Sequence, residues 1–231
     1  MTRVEAVVGY YNEHLSGARL CECYEVAPPH VRQYLDAEIE FVRGRLHETD
    51  SVLELGCGYG RVAFELARTA ARVVGIDTAA ESIALARELA GENARGAFWV
   101  MDALALEFDD GEFDAVVCVQ NGVCAFGVDR LALLREALRV TRPGGRVLFS
   151  SYAAGFWPHR LEWFERQAKR GLVGEIDHER TGGGVIVCRD GFRAGAMSPR
   201  DFTDLCGRLG LTPAITEVDG SSVFCEVVAA F

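Results

Sequence analysis

The stretch Val52-Leu53-Glu54-Leu55-Gly56-Cys57-Gly58-Tyr59-Gly60 carries the densest chemistry in this sequence. An apolar run breaks into alternating glycines and then enters a helical pattern near Arg61. Glycine lets backbone approach a ligand closely, because it has no Cβ and tolerates positive φ. Glu54 stands two positions before the first glycine. A phosphate loop wants positive charge or free N–H groups there, whereas an acid suits a ligand with a cationic end. Asp77 follows 17 residues beyond Gly60, after a second apolar run, and its carboxylate can accept two hydrogen bonds from a ribose diol. Asp102, after a third run, can take the exocyclic amine of a base. Gln120 and Asn121 end a fourth run and read either as ligand contacts or as plain loop residues.

These positions matter only if the fold brings them together, and the pattern from Asp50 onward says how. Ser51–Leu55, Ala71–Ile76, Ala97–Met101, Phe113–Val119 and Arg146–Ser150 read as strands, being near-continuous apolar runs. Arg61–Thr69, Ala80–Leu89 and Asp129–Val140 read as helices between them, and Pro143-Gly144-Gly145 as a turn. Strands alternating with helices predict a doubly wound, mostly parallel sheet covered on both faces, an α/β/α sandwich of Rossmann-like type. In such a sheet ligands bind at the carboxyl ends of the strands, where all the polar positions above fall. Trp157–Arg170 and Pro199–Leu209 predict two further helices. Glu175–Glu179 with Val185–Arg189, around Thr181-Gly182-Gly183-Gly184, predicts a hairpin. Thr212–Val218 and Val223–Phe231, split by Asp219-Gly220-Ser221-Ser222, predict a closing antiparallel pair. Residues 1–49 read as helical, with Val31, Leu35, Ile39, Val42 and Leu46 on one stripe behind a Pro28-Pro29 start.

The glycines and Asp77 alone leave two ligands open. Gly58-Tyr59-Gly60-Arg61-Val62-Ala63 fits the dinucleotide pattern, and Asp77 suits a nicotinamide cofactor's ribose. A P-loop is disfavoured, since no Gly-Lys-Ser/Thr closes the loop. The wider set of motifs resembles the class I S-adenosylmethionine-dependent methyltransferases, over roughly residues 50–152. Glu54-Leu55-Gly56-Cys57-Gly58-Tyr59-Gly60 matches the family's first motif, and Gly75-Ile76-Asp77 its second-strand acid. Met101-Asp102-Ala103 matches the third-strand acid. Asp110-Gly111-Glu112-Phe113-Asp114-Ala115-Val116-Val117 matches the turn into the fourth strand, and Arg142-Pro143-Gly144-Gly145 the turn before the fifth.

The resemblance implies S-adenosyl-L-methionine as cofactor, S-adenosyl-L-homocysteine as product and no metal. It implies that Gly56, Cys57, Gly58 and Gly60 pass the methionine part and that Glu54 faces its ammonium end. It further implies that Asp77, with Thr78, holds the ribose hydroxyls, that Asp102 and the Ala103 backbone read adenine, and that Gln120 lines the methionine pocket. Asp114 reads as structural, at a strand start. The rivals are a NAD-dependent Rossmann oxidoreductase and a catalytically silent cofactor-binding regulatory protein.

Composition bounds the partners. Of 231 residues 49% are hydrophobic and 25% charged, which fits one large globular domain or one domain with an elaboration. A net charge of −10 without a Lys/Arg block argues against nucleic acid and against an anionic membrane surface. No apolar run approaches the roughly 18 residues of a membrane span, and the N-terminus carries no signal-peptide core. Eight scattered cysteines, several inside apolar runs, read as reduced core residues of a cytoplasmic protein, which is expected to be a monomer or homodimer.

The expected acceptor is a small molecule with an O, N or S nucleophile, attacked in line. Its site is expected outside the sheet, in an N-terminal helical cap (1–49) and a lid (152–198) on a methyltransferase domain of residues 50–231. Tyr11 is a candidate contact from above, and His159, after the fifth strand, a candidate general base; packing and surface roles are the plainer readings for both. Cys21, Cys23 and Cys124 raise a thiolate site for a soft metalloid such as arsenite, although their spacing is not that of the arsenite enzymes. No Asn-Pro-Pro-aromatic signature follows the fourth strand, where Asn121 precedes Gly122 and Val123.

Overall fold

The structure, a computed structural model, describes residues 9–91 and 96–230. The helical expectation for residues 1–8 and the strand end at residue 231 lie outside the described residues. The five sequence-read strands form β1 (Ser51–Leu55), β2 (Arg72–Asp77), β3 (Gly96–Val100), β4 (Phe113–Cys118) and β5 (Thr141–Tyr152). They lie in the order β3-β2-β1-β4-β5 and all run parallel. The sheet continues antiparallel through the chain's last two strands, Ser222–Val228 and then Ala214–Val218. The order reverses between β1 and β4, and there a doubly wound sheet opens its binding crevice.

Period-two burial divides the core. Leu53, Leu55, Val74, Ile76, Val116 and Val147 face one side of the sheet, and Val52, Val73, Ala115, Val117 and Leu148 the other. The second side is covered by α3 (Pro29–Arg43), α4 (Arg61–Leu66) and α5 (Ala80–Ala90). The first is covered by α7 (Arg130–Val140) and α9 (Pro199–Gly207). Ahead of α3 stand α1 (Tyr10–His14) and α2 (Gly17–Glu25). A one-turn α6 (Gly122–Ala125) follows β4, and a 3-10 turn (Ala154–Phe156) precedes α8 (Trp157–Lys169); the sequence reading had neither short element.

Three sequence expectations shift. The Arg61–Thr69 helix ends at Leu66. Pro143-Gly144-Gly145 is an irregularity inside β5 rather than a turn ahead of it. Thr141 pairs with Phe113, the register slips, and Arg146 pairs with Ala115. Gly144 N–H and Gly145 C=O meanwhile bond to Ala229, so the proline lies where the ladder with β4 is already broken. The third shift is the hairpin. Glu175–Glu179 and Val185–Arg189 meet only at a single Ile176–Cys188 bridge. The ladder forms instead between β6 (Ile186–Val187) and β7 (Arg193–Ala194). Asp190-Gly191 makes the tighter turn, with Gly191 at φ +100° and the Asp190 carboxylate accepting the Phe192 N–H. The final pair forms as expected, β8 (Ala214–Val218) with β9 (Ser222–Val228), around Asp219-Gly220, both at positive φ.

Candidate functional site

At the carboxyl ends of β1, β2 and β4 lies a cavity lined by Glu54, Gly56, Cys57, Gly58, Asp77, Thr78, Asp102, Ala103 and Gln120. Of the predicted donor residues only Gly60 is not in the wall; it precedes α4 at φ +89°. The loop's shape demands glycine. Gly56 sits at φ +72°, and a methyl group there would overlap the Phe126 ring. At Gly58, φ +53°, a Cβ would stand 2.7 Å from Leu20 Cδ2, so α2 presses directly on the loop.

Asp77 latches that loop. Its Oδ2 accepts the Gly58 N–H at 2.9 Å and its Oδ1 the Ala79 N–H at 2.8 Å. Burial raises its pKa from its ordinary value, against the pull of these backbone donors. Each oxygen keeps a lone pair, so a diol can still be held. Asp102 is exposed and accepts the Leu104 N–H at 2.9 Å, with Ala103 buried beside it. Thr78 Oγ1 donates to Asn12 Oδ1 at 3.1 Å and so ties this wall to the residues after Tyr11. The Cys57 thiol, held protonated by burial, packs where a Cβ on Gly75 would stand.

Glu54 is 3% exposed, and its Oε2 has no hydrogen-bond partner. Burial pushes its pKa up to about 8, while the nearby Arg61 guanidinium pulls the other way. Arg61 also lines the cavity; its Nε and Nη2 are buried without partners, and its guanidinium lies 4.6 Å from the Tyr24 ring centroid. Gln120 has φ +55°, uncommon for a non-glycine and a strained state that persists only where surroundings over-determine it. Its N–H is fixed by Glu38 Oε2 at 2.7 Å and Ser150 Oγ at 2.9 Å. Its Oε1 accepts from Tyr24 OH at 3.4 Å, and its Nε2 is buried without a partner.

Arg61 in the cavity wall and Glu38, which holds the Gln120 N–H from behind it, are residues that the sequence reading passed over. Glu38 is fully buried, and burial raises its pKa to about 7 against the hydrogen bonds and the Arg61 charge that lower it. Its signal was available. It lies three after Leu35 and four before Val42, on the apolar stripe of α3, where a carboxylate needs a reason to be. Arg61 carried no such mark, because a basic residue at a helix start is ordinary.

The opposite wall comes from far along the chain. Tyr11, Tyr24, Tyr152, Trp163 and Phe164 line it. α8 is fastened to α2 by Trp163 Nε1 donating to the Cys23 carbonyl at 2.7 Å, and Tyr10 OH donates to Asp190 Oδ2 at 2.6 Å. Burial, with Tyr152 and Tyr24 nearby, holds the Tyr11 pKa far above its ordinary value. His159 is a correction. Its ring packs at a tilt against His30, with centroids 4.2 Å apart, and against Phe156 at 5.5 Å, and it is not in the cavity wall. Arg160, Trp163, Phe164 and Gln167 form the buried face of α8, and His159 falls just off that stripe. Of the thiols, Cys23 lines the cavity while Cys21 and Cys124 do not. Among the described residues no group of three His, Cys, Asp or Glu could hold a metal. Asp114 is structural: it accepts the Ser51 N–H at 2.7 Å and pairs with Arg142.

The residues fit an S-adenosyl group. A diol can be held by Asp77, the glycine loop leaves room along its length, and buried unpartnered atoms of both acceptor and donor kind, Glu54 Oε2 and Gln120 Nε2, await a polar end.

Comparison with known proteins agrees. The family described as a methyltransferase domain matches residues 52–145. The chain is similar to a 2-methyl-6-phytyl-1,4-hydroquinone methyltransferase of Synechocystis sp., 30% identical over 65% of this chain and 50% of that one. It is also similar to an arsenite methyltransferase of Aquipseudomonas alcaligenes, 36% identical over 77% of this chain and 49% of that one. The chain thus spans about half the length of the curated relatives it matches. Its fold resembles that of a magnesium protoporphyrin IX methyltransferase from Synechocystis PCC 6803, with a TM-score of 0.62 at 17% identity, covering 99% of this chain and 97% of that one. The matched methyltransferase domain bears out the resemblance to the class I S-adenosylmethionine-dependent methyltransferases that five motifs in order and the reversed sheet carry.

Proposed function

We propose that this protein transfers the methyl group of S-adenosylmethionine to a small-molecule acceptor. The observation that carries the reading is the two-sided cavity: loop, carboxylates and unpartnered polar atoms on one wall, aromatic side chains on the other. The donor, when bound, supplies a methyl already activated by the sulfonium charge. The chain's own residues then have to orient and exclude water. Asp77 and the glycine loop fix the nucleoside end. Tyr24, hydrogen-bonded to Gln120, and Trp163, anchored on Cys23, close the cavity from the N-terminal and C-terminal segments, which act as cap and lid. The acceptor attacks in line, the carbon–sulfur bond breaks, and S-adenosylhomocysteine leaves. No side chain on the aromatic wall is a base at neutral pH, so the acceptor brings its own nucleophile or loses its proton to solvent.

The aromatic wall favours a planar, largely apolar acceptor. The name of the hydroquinone methyltransferase relative agrees with that class. The arsenite methyltransferase relative raises thiol capture, but only Cys23 of the three candidate cysteines reaches the cavity. We place the protein in the cytoplasm on its cysteine usage; no described helix is long and apolar enough to cross a membrane.

The test is protection against heat by S-adenosylhomocysteine and by NAD, followed by labelled donor with a panel of phenols, hydroquinones, amines and arsenite. Protection by S-adenosylhomocysteine with a labelled aromatic product supports the reading. Protection by NAD alone replaces it with the oxidoreductase. Tight donor binding without any labelled product supports the silent regulatory protein.

A further inference from the structure

Arg160 is 1% exposed, and its hydrogen-bond partners are all neutral carbonyls. Nη1 donates to Gly184 at 2.9 Å, and Nη2 donates to Ala194 at 2.7 Å and to Gly195 at 2.9 Å. Its Nε is buried with no partner. The guanidinium carbon lies 4.4 Å from the Tyr152 ring centroid, 5.8 Å from that of Phe164 and 5.9 Å from that of Trp157. Arginine is always charged, and burying it without a counter-ion is unfavourable even where ring faces and carbonyls offset part of the cost. Holding the β6–β7 hairpin needs donors, not a net charge. Tyr152 and Phe164 line the cavity, so that charge stands one ring behind the aromatic wall. It sits on the same buried face of α8 as Trp163, Phe164 and Gln167, all three of them in the wall.

The groups that face Arg160 leave its charge unbalanced. Burial raises the pKa of Tyr11 from α1, Tyr34 from α3, Tyr152 from β5 and Cys124 from α6, and the Arg160 charge opposes burial in each. All four are neutral when protonated. Glu38 acts on Tyr34 and Tyr152 from beyond them and is committed to the Gln120 N–H. On α8 itself Glu162 pairs with Arg166, and on the hairpin Arg193 lines a different cavity. Of the other charges in this cavity, Arg61 reaches the aromatic wall at Tyr24, while Glu54 and Asp77 lie on the donor side.

We propose that Arg160 makes the aromatic wall a site for an acceptor bound as an anion, an aromatic hydroxyl ionised to its phenolate, and so stands in for a catalytic base. The assignment rests on the reading of the acceptor as a planar aromatic small molecule. Arg160 touches no substrate; it is a positioning residue that acts through the Tyr152 ring. An opposite charge at this range in a poorly hydrated site favours the ionised form of a bound group. The hydroxyl proton goes to solvent on binding. The phenolate oxygen then forms its bond to the methyl carbon, and the electron pair of the broken carbon–sulfur bond stays on sulfur. An amine gains nothing from the same field, since its reactive form is already neutral.

The experiment is titration of wild type, Arg160→Gln and Arg160→Lys with two probes, 4-nitrophenol and the neutral 4-nitroaniline. S-adenosylhomocysteine is present throughout, because its uncharged sulfur fills the donor side without attracting an anion. The visible absorbance of 4-nitrophenolate reports ionisation of the bound probe as pH is varied, and near-ultraviolet circular dichroism reports folding. On wild type the ionisation midpoint of bound 4-nitrophenol is expected about 1 pH unit below that of the free phenol. Arg160→Gln should abolish that shift and weaken the phenolate about 10-fold, with 4-nitroaniline affinity within about 3-fold of wild type. Arg160→Lys keeps the charge and should keep most of the shift. If the glutamine variant does not fold, the wild-type midpoint and the lysine variant decide. A wild-type midpoint at or above that of the free phenol, an unchanged midpoint in folded Arg160→Gln, or equal loss of both probes overturns the assignment and leaves the aromatic-acceptor reading standing. A wild-type protein that binds neither probe overturns that reading and the assignment with it.

Discussion

The two walls of the cavity are built in opposite ways. The wall proposed for the donor is assembled from residues at or just beyond the carboxyl ends of strands β1 to β4, so each is positioned by the strand it ends or follows. The aromatic wall, proposed for the acceptor, is assembled across the chain: Trp163 reaches Cys23 over 140 residues, and behind the wall Tyr10 reaches Asp190 over 180. A ligand shared by a family can be read from local order. An acceptor particular to one protein is read only where distant segments meet.

The sharpest way to break the donor wall is Gly56→Ala. Positive φ and overlap with Phe126 are both enforced, and together they should cost about 2–4 kcal/mol, read as a lower urea midpoint with loss of S-adenosylhomocysteine binding. Asp77→Ala comes next. It removes the latch on Gly58 and the diol acceptor, and S-adenosylhomocysteine affinity should fall about 100-fold, roughly 3 kcal/mol, with the fold retained. Unchanged affinity in a titration would show that the ribose lies elsewhere.

A pH series asks whether the buried carboxyls Glu54 and Glu38 belong to the donor wall's strain. Their folded pKa values, about 8 and about 7, lie above the unfolded carboxylate value. Between that value and about 8 the folded state holds protons that the unfolded chain has released. Stability without ligand should therefore fall as pH rises through that window and level off above it. Urea midpoints at pH 5, 7 and 9 measure this, and Glu54→Gln should flatten the upper part of the decline.

The acceptor wall is probed by Trp163→Phe, which leaves the Cys23 carbonyl without its donor. About 1–2 kcal/mol of stability should go, with S-adenosylhomocysteine affinity nearly unchanged. Equal loss of donor affinity would mean the two walls are one unit. The smallest effect is expected from His159→Ala, under about 0.5 kcal/mol in stability and none on methyl transfer to whichever acceptor is found, because the ring faces His30 and Phe156.

Legibility followed the same division. The strands, the reversal they imply and the polar residues at their ends were readable, because hydrophobic period and glycine placement are local. The 175–189 hairpin was misplaced because its strands are short and Asp190-Gly191 competes with a glycine run as the turn. Gln120 could not be told from a loop residue until its N–H was seen held by Glu38 from α3. His159 looked available because it follows the fifth strand, and only the buried face of α8 turned it away.

By itself the sequence determined the sheet, the resemblance to a methyltransferase domain and the glycine and carboxylate positions that line the cavity, since glycine conformations and strand-end carboxylates act through adjacent backbone. Tertiary structure alone decided that Arg61 and Glu54 keep buried atoms without partners in one cavity, that burial raises the Tyr11 pKa, and that side chains from two distant segments line the cavity opposite the loop. Burial sets those properties, and burial depends on which parts of the chain pack together.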